Sequence, residues 1–301
     1  MKYVFRAAME RFARRGKAPR RPVRAVRLST VAAVTATMVA AVLIALEAPA
    51  SAAVPGLQIV SASSATDSNT LKSATAHCPA GKRVIGTAFH LLGAQGDIVL
   101  DDLIPAATSV TMQAGEDQDG TPAVWRVTAV AVCANPLPGL EIITTSSEFG
   151  PARDRNVQAP CPAGKRVIGS GARLTQGFGH ISISNLIVSH NSVFAFATDD
   201  QDGFSGSWSV ATYAICAFPL PGQEIVSATT PFDSDGQKLV TATCPSGKRA
   251  LGTGWSLGGG GQVVITYAGI GLSGVTQIAH EDDDGFPGGW SLNAAVICAT
   301  A

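Results

Sequence analysis

The chain contains 301 residues, and its 22 basic and 22 acidic side chains cancel. Residues 1–52 hold ten of the basic groups and two of the acidic ones, so residues 53–301 carry 12 basic and 20 acidic groups and a net charge of −8. A chain this acidic is a poor candidate for binding nucleic acid or anionic lipid through bulk charge. We therefore expect no nucleic-acid partner and no membrane association of the mature protein.

The first 52 residues follow the order of segments that is typical of an export signal. A basic segment (1–28) precedes an apolar segment (31–46), and the small residues of 48–52 come next. The apolar segment is shorter than the roughly 20 residues that a membrane-spanning helix needs. Residues 1–52 are therefore predicted to be a signal peptide and the protein to be secreted and extracellular. An uncleaved membrane anchor is the alternative.

Beyond the signal, one pattern of about 83 residues occurs three times. Each copy contains Pro-Gly, then Cys-Pro-(Ala/Ser)-Gly-Lys-Arg, an acidic run ending in Asp-Gly, a Trp and a closing Cys-Ala. A period of this length indicates three copies of one supersecondary unit. The predicted repeats are 55–137, 138–220 and 221–301.

Six cysteines, two in each repeat, predict three disulfides in an exported chain. Either each repeat closes on itself or neighbouring repeats are linked. The first arrangement is preferred because it works identically in every copy. It gives the pairs Cys78–Cys133, Cys161–Cys216 and Cys244–Cys298, whereas linked neighbours would pair Cys133–Cys161, Cys216–Cys244 and Cys298–Cys78.

The composition of the repeats, rich in Gly, Ser, Thr, Ala and Val, favours strands and turns over helices. In the first repeat, alternating patterns and turn residues predict six strands, at 58–63, 71–76, 83–91, 97–104, 109–115 and 125–133. The predicted fold class is therefore all-β with three pseudo-symmetric repeats. Two architectures fit: a shared core of β-prism-like or trefoil-like form, or three small β-sandwiches in tandem.

The acidic runs hold ten of the 20 acidic residues of 53–301. Aspartates clustered on a tight turn offer the hard oxygen ligands that calcium prefers, and a divalent cation would relieve their repulsion. The alternative is a plain solvated hairpin turn, since Asp-Gly is a common turn sequence. The predicted calcium ligands are Asp117, Asp119, Asp200, Asp202, Asp282 and Asp284.

The Cys-Pro-(Ala/Ser)-Gly-Lys-Arg turns hold half of the basic charge of residues 53–301. They could contact an anionic or sugar ligand three times over, or their cations could pair with the acidic runs. A tryptophan outside the repeat pattern, beside four glycines, could stack on a sugar ring. The predicted ligand contacts are Lys82, Arg83, Lys165, Arg166, Lys248, Arg249 and Trp255.

No catalytic constellation is indicated by the sequence. The five histidines follow no period, and no serine lies in a Gly-x-Ser-x-Gly elbow with plausible partners. Three equal copies are also a poor way to hold one asymmetric pair of catalytic carboxylates. The protein is therefore expected not to be an enzyme.

The Cys-Pro-Ala-Gly-Lys-Arg-Val-Ile-Gly stretch, the later Trp and the closing Ala-Val-Cys-Ala resemble a repeat of secreted actinobacterial proteins. A second resemblance is to the vitelline membrane outer layer protein family. It is carried by the Cys-Pro-x-Gly turn and by Gly96-Asp97-Ile98, although the later copies lack that Asp. The second resemblance implies a threefold β-prism and carbohydrate binding.

These observations together predict a secreted, non-catalytic binding protein. We expect multivalent, lectin-like recognition of a glycan or cell-envelope polymer through three weak equivalent sites, with avidity from the repetition. A structural or protein-interaction module of the cell surface, which could be inhibitory, is the alternative. The glycan-binding hypothesis predicts exposed aromatic residues near the repeated turns, and the structural hypothesis predicts buried tryptophans.

Overall fold

The structure is a computed structural model that describes residues 54–93 and 95–300. The predicted signal peptide lies outside the described residues. The first repeat contains β1 (Gln58–Ser63), β2 (Leu71–His77), β3 (Arg83–Leu92), β4 (Ile98–Pro105), β5 (Ser109–Glu116) and β6 (Arg126–Ala134). The second contains β7 (Glu141–Ser146), β8 (Asp154–Pro160), β9 (Arg166–Thr175), β10 (Ile181–Val188), β11 (Ser192–Asp199) and β12 (Ser209–Ala217). The third contains β13 (Glu224–Thr229), β14 (Gln237–Thr243), β15 (Lys248–Leu257), β16 (Val263–Gly271), β17 (Gly274–Glu281) and β18 (Leu292–Thr300).

The all-β prediction is confirmed, and so are the six strands predicted for the first repeat, each of whose ends shifts by at most one residue. The strands pair antiparallel, and turns with positive-φ glycines separate many of them. Local signals were sufficient here because alternation and turn residues act over a few neighbouring positions.

Every sheet is shared between two repeats. The 1–3 sheet has the strand order β1-β6-β3-β16-β17-β14, the 2–3 sheet has β13-β18-β15-β10-β11-β8, and the 1–2 sheet has β2-β5-β4-β9-β12-β7. Each repeat thus gives three strands to each of two sheets, and the three sheets close around a pseudo-threefold axis. The prediction of a prism-like shared core is confirmed. Three tandem sandwiches are excluded, because each sandwich would have to pair its own strands only.

The central strands β3, β9 and β15 meet at this axis, one from each repeat. A glycine near the start of each strand allows the close approach. A Cβ built on Gly169 would lie 2.5 Å from the Ile85 carbonyl oxygen, and one on Gly252 would lie 2.5 Å from the Ile168 carbonyl oxygen. Gly86 meets the Leu251 carbonyl in the same way. The glycine seven residues after the Pro of each Cys-Pro is therefore the residue on which closure of the prism depends.

Hydroxyl groups next to these glycines continue the contact between repeats. The Oγ1 atom of Thr87 donates a hydrogen bond to the Ser170 carbonyl oxygen at 2.6 Å, and Ser170 Oγ donates to the Thr253 carbonyl oxygen at 2.6 Å. The third hydroxyl, Thr253 Oγ1, donates instead to the Ala295 carbonyl oxygen at 3.3 Å. The axis is therefore only approximately threefold.

The hydrophobic core is continuous across the three repeats. The repeat tryptophans Trp125, Trp208 and Trp290 are fully buried in it. A cation from a neighbouring strand covers each indole ring: Lys72, Arg155 and Lys238 respectively. The tryptophans therefore stabilise the core through their large buried area and a cation–π contact.

The three disulfides join Cys78 to Cys133, Cys161 to Cys216, and Cys244 to Cys298. The prediction that each repeat closes on itself is confirmed. Each disulfide ties the turn before a central strand to the last strand of the same repeat. Among residues 54–93 and 95–300, no helix has the length and apolar character needed to cross a membrane.

Candidate metal centre

The three acidic runs begin at the last residues of β5, β11 and β17. Of these, Glu116 and Asp199 are buried and Glu281 is half-buried. Glu116 accepts a hydrogen bond from Trp125 Nε1 at 3.2 Å, and Glu281 accepts one from Trp290 Nε1 at 2.9 Å. The second repeat departs from this pattern: Asp199 is buried, but Trp208 Nε1 donates to a backbone carbonyl. The runs are therefore anchored segments rather than free hairpin turns.

Neighbouring repeats pack against the runs in a cycle. The loop after β9 lies so close to the first run that a Cβ on Gly179 would be 2.8 Å from the Glu116 carbonyl oxygen. The loop after β3 contacts the third run, where Gly96 lies against the Glu281 carbonyl, and Gly261 lies against the second run. Each run is thus held by its own repeat and by the next one, which directs all three toward the axis.

The last aspartates of the runs, Asp119, Asp202 and Asp284, come together at this end of the axis. One carboxylate oxygen from each lies within 4.8 Å of the other two, and all three side chains are exposed. The sequence repetition predicts three separate sites, whereas the structure brings the three runs into one cluster. We call Asp119, Asp202 and Asp284 the axial triad.

Glutamine side chains link the triad at two of its three contacts. Gln118 Nε2 donates to Asp202, and Gln201 Nε2 donates to Asp284 Oδ2 at 2.6 Å. The third repeat has Asp283 at the position of these glutamines. The pKa of Asp119 is raised by partial desolvation and by the charges of Asp283 and the other two triad members. At the third contact, between the third and first repeats, the carboxylates of Asp283 and Asp119 are therefore close together with no amide donor.

The first aspartates of the three Asp-x-Asp sequences, Asp117, Asp200 and Asp282, line one small cavity together with Gln118 and Gln201. Asp117 Oδ1 accepts hydrogen bonds from the N–H groups of Asp119 and Gly120, and Asp200 is bonded in the same way within its own run. In contrast, Asp282 Oδ1 is inaccessible to solvent and accepts no hydrogen bond from the described residues. Burial raises the pKa of Asp117 to about 6 and, with the charge of Asp284, that of Asp282 to about 7.

This arrangement has the chemistry of a site for one hard divalent cation. Two oxygens bound to the same calcium ion lie at most about 5 Å apart, so the spacing of the triad is compatible with one ion contacting all three carboxylates. A cation there would lower the repulsion that raises the carboxyl pKa values. Because the triad is exposed, such an ion would keep coordination positions open toward solvent or a ligand.

The Lys-Arg turns lie at the other end of the molecule. They precede β3, β9 and β15, whereas the acidic runs pack against loops that follow those strands. Their lysines pair with residues just before or within β1, β7 and β13: Lys82 with the Gly56 carbonyl and Gln58, Lys165 with Glu141, and Lys248 with Glu224. The expectation that these turns pair with the acidic runs is therefore wrong, because a ten-residue strand separates the two motifs.

Of the remaining predicted contacts, Arg83 lines a cleft of ≈ 450 Å³ with Leu137 and Leu140, between the first and second repeats. Arg166 is half-buried and Arg249 is exposed on the corresponding turns. Trp255 is buried, with 1% of its surface exposed, and its Nε1 donates to the Ile183 carbonyl oxygen at 3.1 Å. Its ring lies edge-on to Phe89, so it joins the first and third repeats in the core.

Sequence reasoning did not single out Asp101 and Asp102, two buried carboxylates on the outer face of the 1–2 sheet. They lie at a bulge in β4, where Gln113 donates to Asp101 at 3.0 Å and Arg173 lies 3.8 Å from Asp102. Burial, with the charge of Asp102, raises the pKa of Asp101 to about 7, and burial raises that of Asp102 to about 6. Two acidic residues inside an apolar strand, Ile98-Val99-Leu100-Asp101-Asp102-Leu103-Ile104, were the signal in the sequence.

Asp101 should make stability depend on pH. Its folded-state pKa lies above the unfolded value, so the folded state binds the extra proton, and stability falls as pH rises from about 4 to about 7. At the corresponding bulges, Ser184 and Thr266 donate to backbone carbonyls and carry no charge. Asp101→Ser should therefore raise the melting temperature by a few degrees at pH 8 and have little effect near pH 4. Melting curves across this range test this, and an equal shift at both pH values would contradict it.

Comparison with protein-family models finds no match, and a search of curated protein sequences finds no significant similarity. The resemblance to the vitelline membrane outer layer proteins therefore rests on the motifs alone. The class that the structure defines is a triplicated, disulfide-bonded, all-β prism with an acidic cluster on its axis.

Proposed function

We propose that this is a secreted, non-catalytic binding protein that recognises a glycan or cell-envelope polymer through a single calcium-dependent site at the axial triad. The observation that supports the proposal is the convergence of three carboxylates, one from each repeat, within 4.8 Å at an exposed end of the axis. An exposed calcium ion binds sugar hydroxyls or anionic groups in the positions that its protein ligands leave open.

Secretion is supported by the three disulfides, which form and persist in oxidising compartments. A rigid prism also suits a binding role, because the ligands sit on loops that two repeats hold in place. The proposal replaces three weak equivalent sites with one site, since the three runs meet instead of pointing apart.

The second candidate function is a structural or protein-interaction module of the cell surface. The observation that favours it is the burial of all four tryptophans, each with at most 1% of its surface exposed. Stacking of these rings on a sugar is therefore not available in this structure. A calcium ion at the triad would in that case stabilise the closed prism rather than contact a ligand.

The test is a binding screen of the full chain, produced through an export pathway, against glycans and purified cell-wall polymers, in calcium and again in EDTA. We expect specific binding in calcium that falls about tenfold or more in EDTA, a change of about 1.4 kcal/mol in binding free energy. The variant Asp119→Asn/Asp202→Asn/Asp284→Asn should behave in calcium as the wild-type protein behaves in EDTA.

A control at exposed carboxylates outside the triad separates the site from bulk electrostatics. Glu148→Gln/Asp235→Asn removes two exposed acidic groups that are not part of the triad and should leave calcium-dependent binding unchanged. Binding that is equal in calcium and EDTA would contradict the axial site, and no binding to any polymer in either condition would favour the structural role.

A further inference from the structure

The outer faces of the three sheets differ where the repeats meet. We call the contact between two repeats within a sheet a seam; it is formed by β4 and β9, by β10 and β15, or by β16 and β3. At each seam two residue pairs are in register, and the pair that faces the core is apolar in every case. The outward pairs have three different chemistries: the ion pair Asp102–Arg173, the polar pair Asn185–Ser256 and the aromatic pair Tyr267–His90. A ligand that contacts an outer face would therefore find only one face of each kind.

The aromatic pair lies on the 1–3 sheet and has a defined geometry. The rings of His90 and Tyr267 are parallel to within 6°, and their centroids are 4.2 Å apart. Both side chains are half-buried rather than covered by other residues. Burial, with the charge of Arg126, lowers the pKa of His90, which favours the uncharged form of this ring.

A glycine on the same face makes room for this pair. The residue two positions after the outward seam residue lies on the same side of the strand. In the other two sheets that residue is Ile104 or Ile187, whereas the 1–3 sheet has Gly269. A Cβ at Gly269 would overlap the Tyr267 ring, so the ring lies over its backbone. The third repeat thus differs from the other two at both positions needed to place the ring.

The Tyr267 and His90 rings border a groove of ≈ 330 Å³ across the outer face. This volume lies within the range of small-molecule sites, about 300 to 1,000 Å³. Thr241, Thr243 and Ser273 line it, and Thr276 Oγ1 lies 3.0 Å from Thr241 Oγ1. None of the described residues that line the groove is Asp, Glu, Lys or Arg.

We propose that this groove, which we call the aromatic groove, binds a neutral sugar unit of a polysaccharide. The C–H groups of a sugar ring pack on an aromatic face, and sugar hydroxyls exchange hydrogen bonds with threonine and serine hydroxyls. The lining offers both kinds of contact and no charge, so it suits neutral sugars over anionic ones. The site is separate from the axial triad and does not need calcium.

The neighbouring 2–3 sheet provides a comparison at the seam positions. A groove of ≈ 340 Å³ lies on the β13–β18 side of that seam, and Ile187 and Ser256, which occupy the positions of Gly269 and His90, are in its lining. It contains no stacked aromatic pair among the described residues. Replacing Tyr267→Asn and Gly269→Ile installs the residues of that sheet at both positions, which removes the ring while keeping a combination of side chains that this fold already accommodates.

The experiment measures binding of the full chain to chitohexaose, cellohexaose, xylohexaose and mannohexaose in EDTA, where the axial site does not contribute. We expect at least one of these neutral oligosaccharides to bind and to shift the NMR signals of the Tyr267 ring. Tyr267→Asn/Gly269→Ile should weaken that binding about tenfold or more. Tyr267→Phe, which keeps the ring, and Tyr213→Asn, which removes a tyrosine from the 1–2 sheet, should leave it within about twofold.

Three results would overturn the proposal: no binding of any of these oligosaccharides in EDTA, equal binding by the double variant, or NMR shifts confined to residues outside the aromatic groove. The NMR shifts of the wild-type protein test whether the oligosaccharide binds in the aromatic groove even if the double variant folds poorly. Loss of calcium-dependent polymer binding alone, with binding in EDTA intact, would count against the axial site and leave this inference standing.

Discussion

Gly169→Ala is expected to destabilise the whole prism, by about 3 kcal/mol or more. The added Cβ would lie 2.5 Å from the Ile85 carbonyl oxygen and 2.8 Å from the Gly86 Cα atom. These backbone atoms cannot easily move away, because β3 pairs with β6 on one side and β16 on the other. For a domain of this size the melting temperature should fall by about 10 °C.

The matched control is Gly236→Ala, at a glycine whose nearest atom beyond its chain neighbours, Glu281 Oε2, is 3.5 Å from the built Cβ. This is an ordinary contact distance, so the control should change the melting temperature by a degree or so. Equal effects of the two substitutions would show that the strands do not meet at the axis as described. Unfolding of one repeat alone in the Gly169→Ala protein would count against the shared core.

Removing one disulfide should lower the free energy of unfolding by a similar amount. The bond between Cys161 and Cys216 closes a loop with a sequence separation of 55, and the chain-entropy account assigns such a loop about 4 kcal/mol. Cys161→Ala/Cys216→Ala should therefore lower the melting temperature by about 10 °C or more. The mechanism is greater freedom of the unfolded chain, so the folded structure and its axial triad should be retained at low temperature.

A single substitution distinguishes the cross-link from packing. Cys161→Ala removes the bond but keeps the buried sulfur of Cys216 in place, so it should be nearly as destabilising as the double variant. If the single variant were nearly as stable as the wild-type protein in urea unfolding, the stability lost in the double variant would come from the cavity at Cys216 and not from the missing cross-link.

The strands and disulfides could be predicted because their signals are local or repeated. Alternation and turn residues marked all six strands of the first repeat, and a pairing that works in every copy selected Cys78–Cys133 and its equivalents. The glycine seven residues after the Pro of each Cys-Pro also recurs in every copy, but its role did not follow from the sequence. That role depends on contact with a carbonyl group of another repeat, which no local pattern reveals.

The candidate site was only half predictable. The acidic runs were recognised as potential calcium ligands, but their meeting point on the axis depends on how the three sheets close. The seam pairs were not predictable either, since Asp102, Asn185 and Tyr267 share a position without sharing a chemistry. Where the copies differ in sequence, repetition gives no information, and these differences produce the aromatic groove.

The most direct test of the account is a calorimetric titration of the full chain with calcium. If the three repeats build one axial site, the stoichiometry should be one ion per chain, and Asp119→Asn/Asp202→Asn/Asp284→Asn should abolish the heat of binding. Three ions per chain, no calcium binding, or binding that the triple variant leaves intact would contradict a single centre at the axial triad.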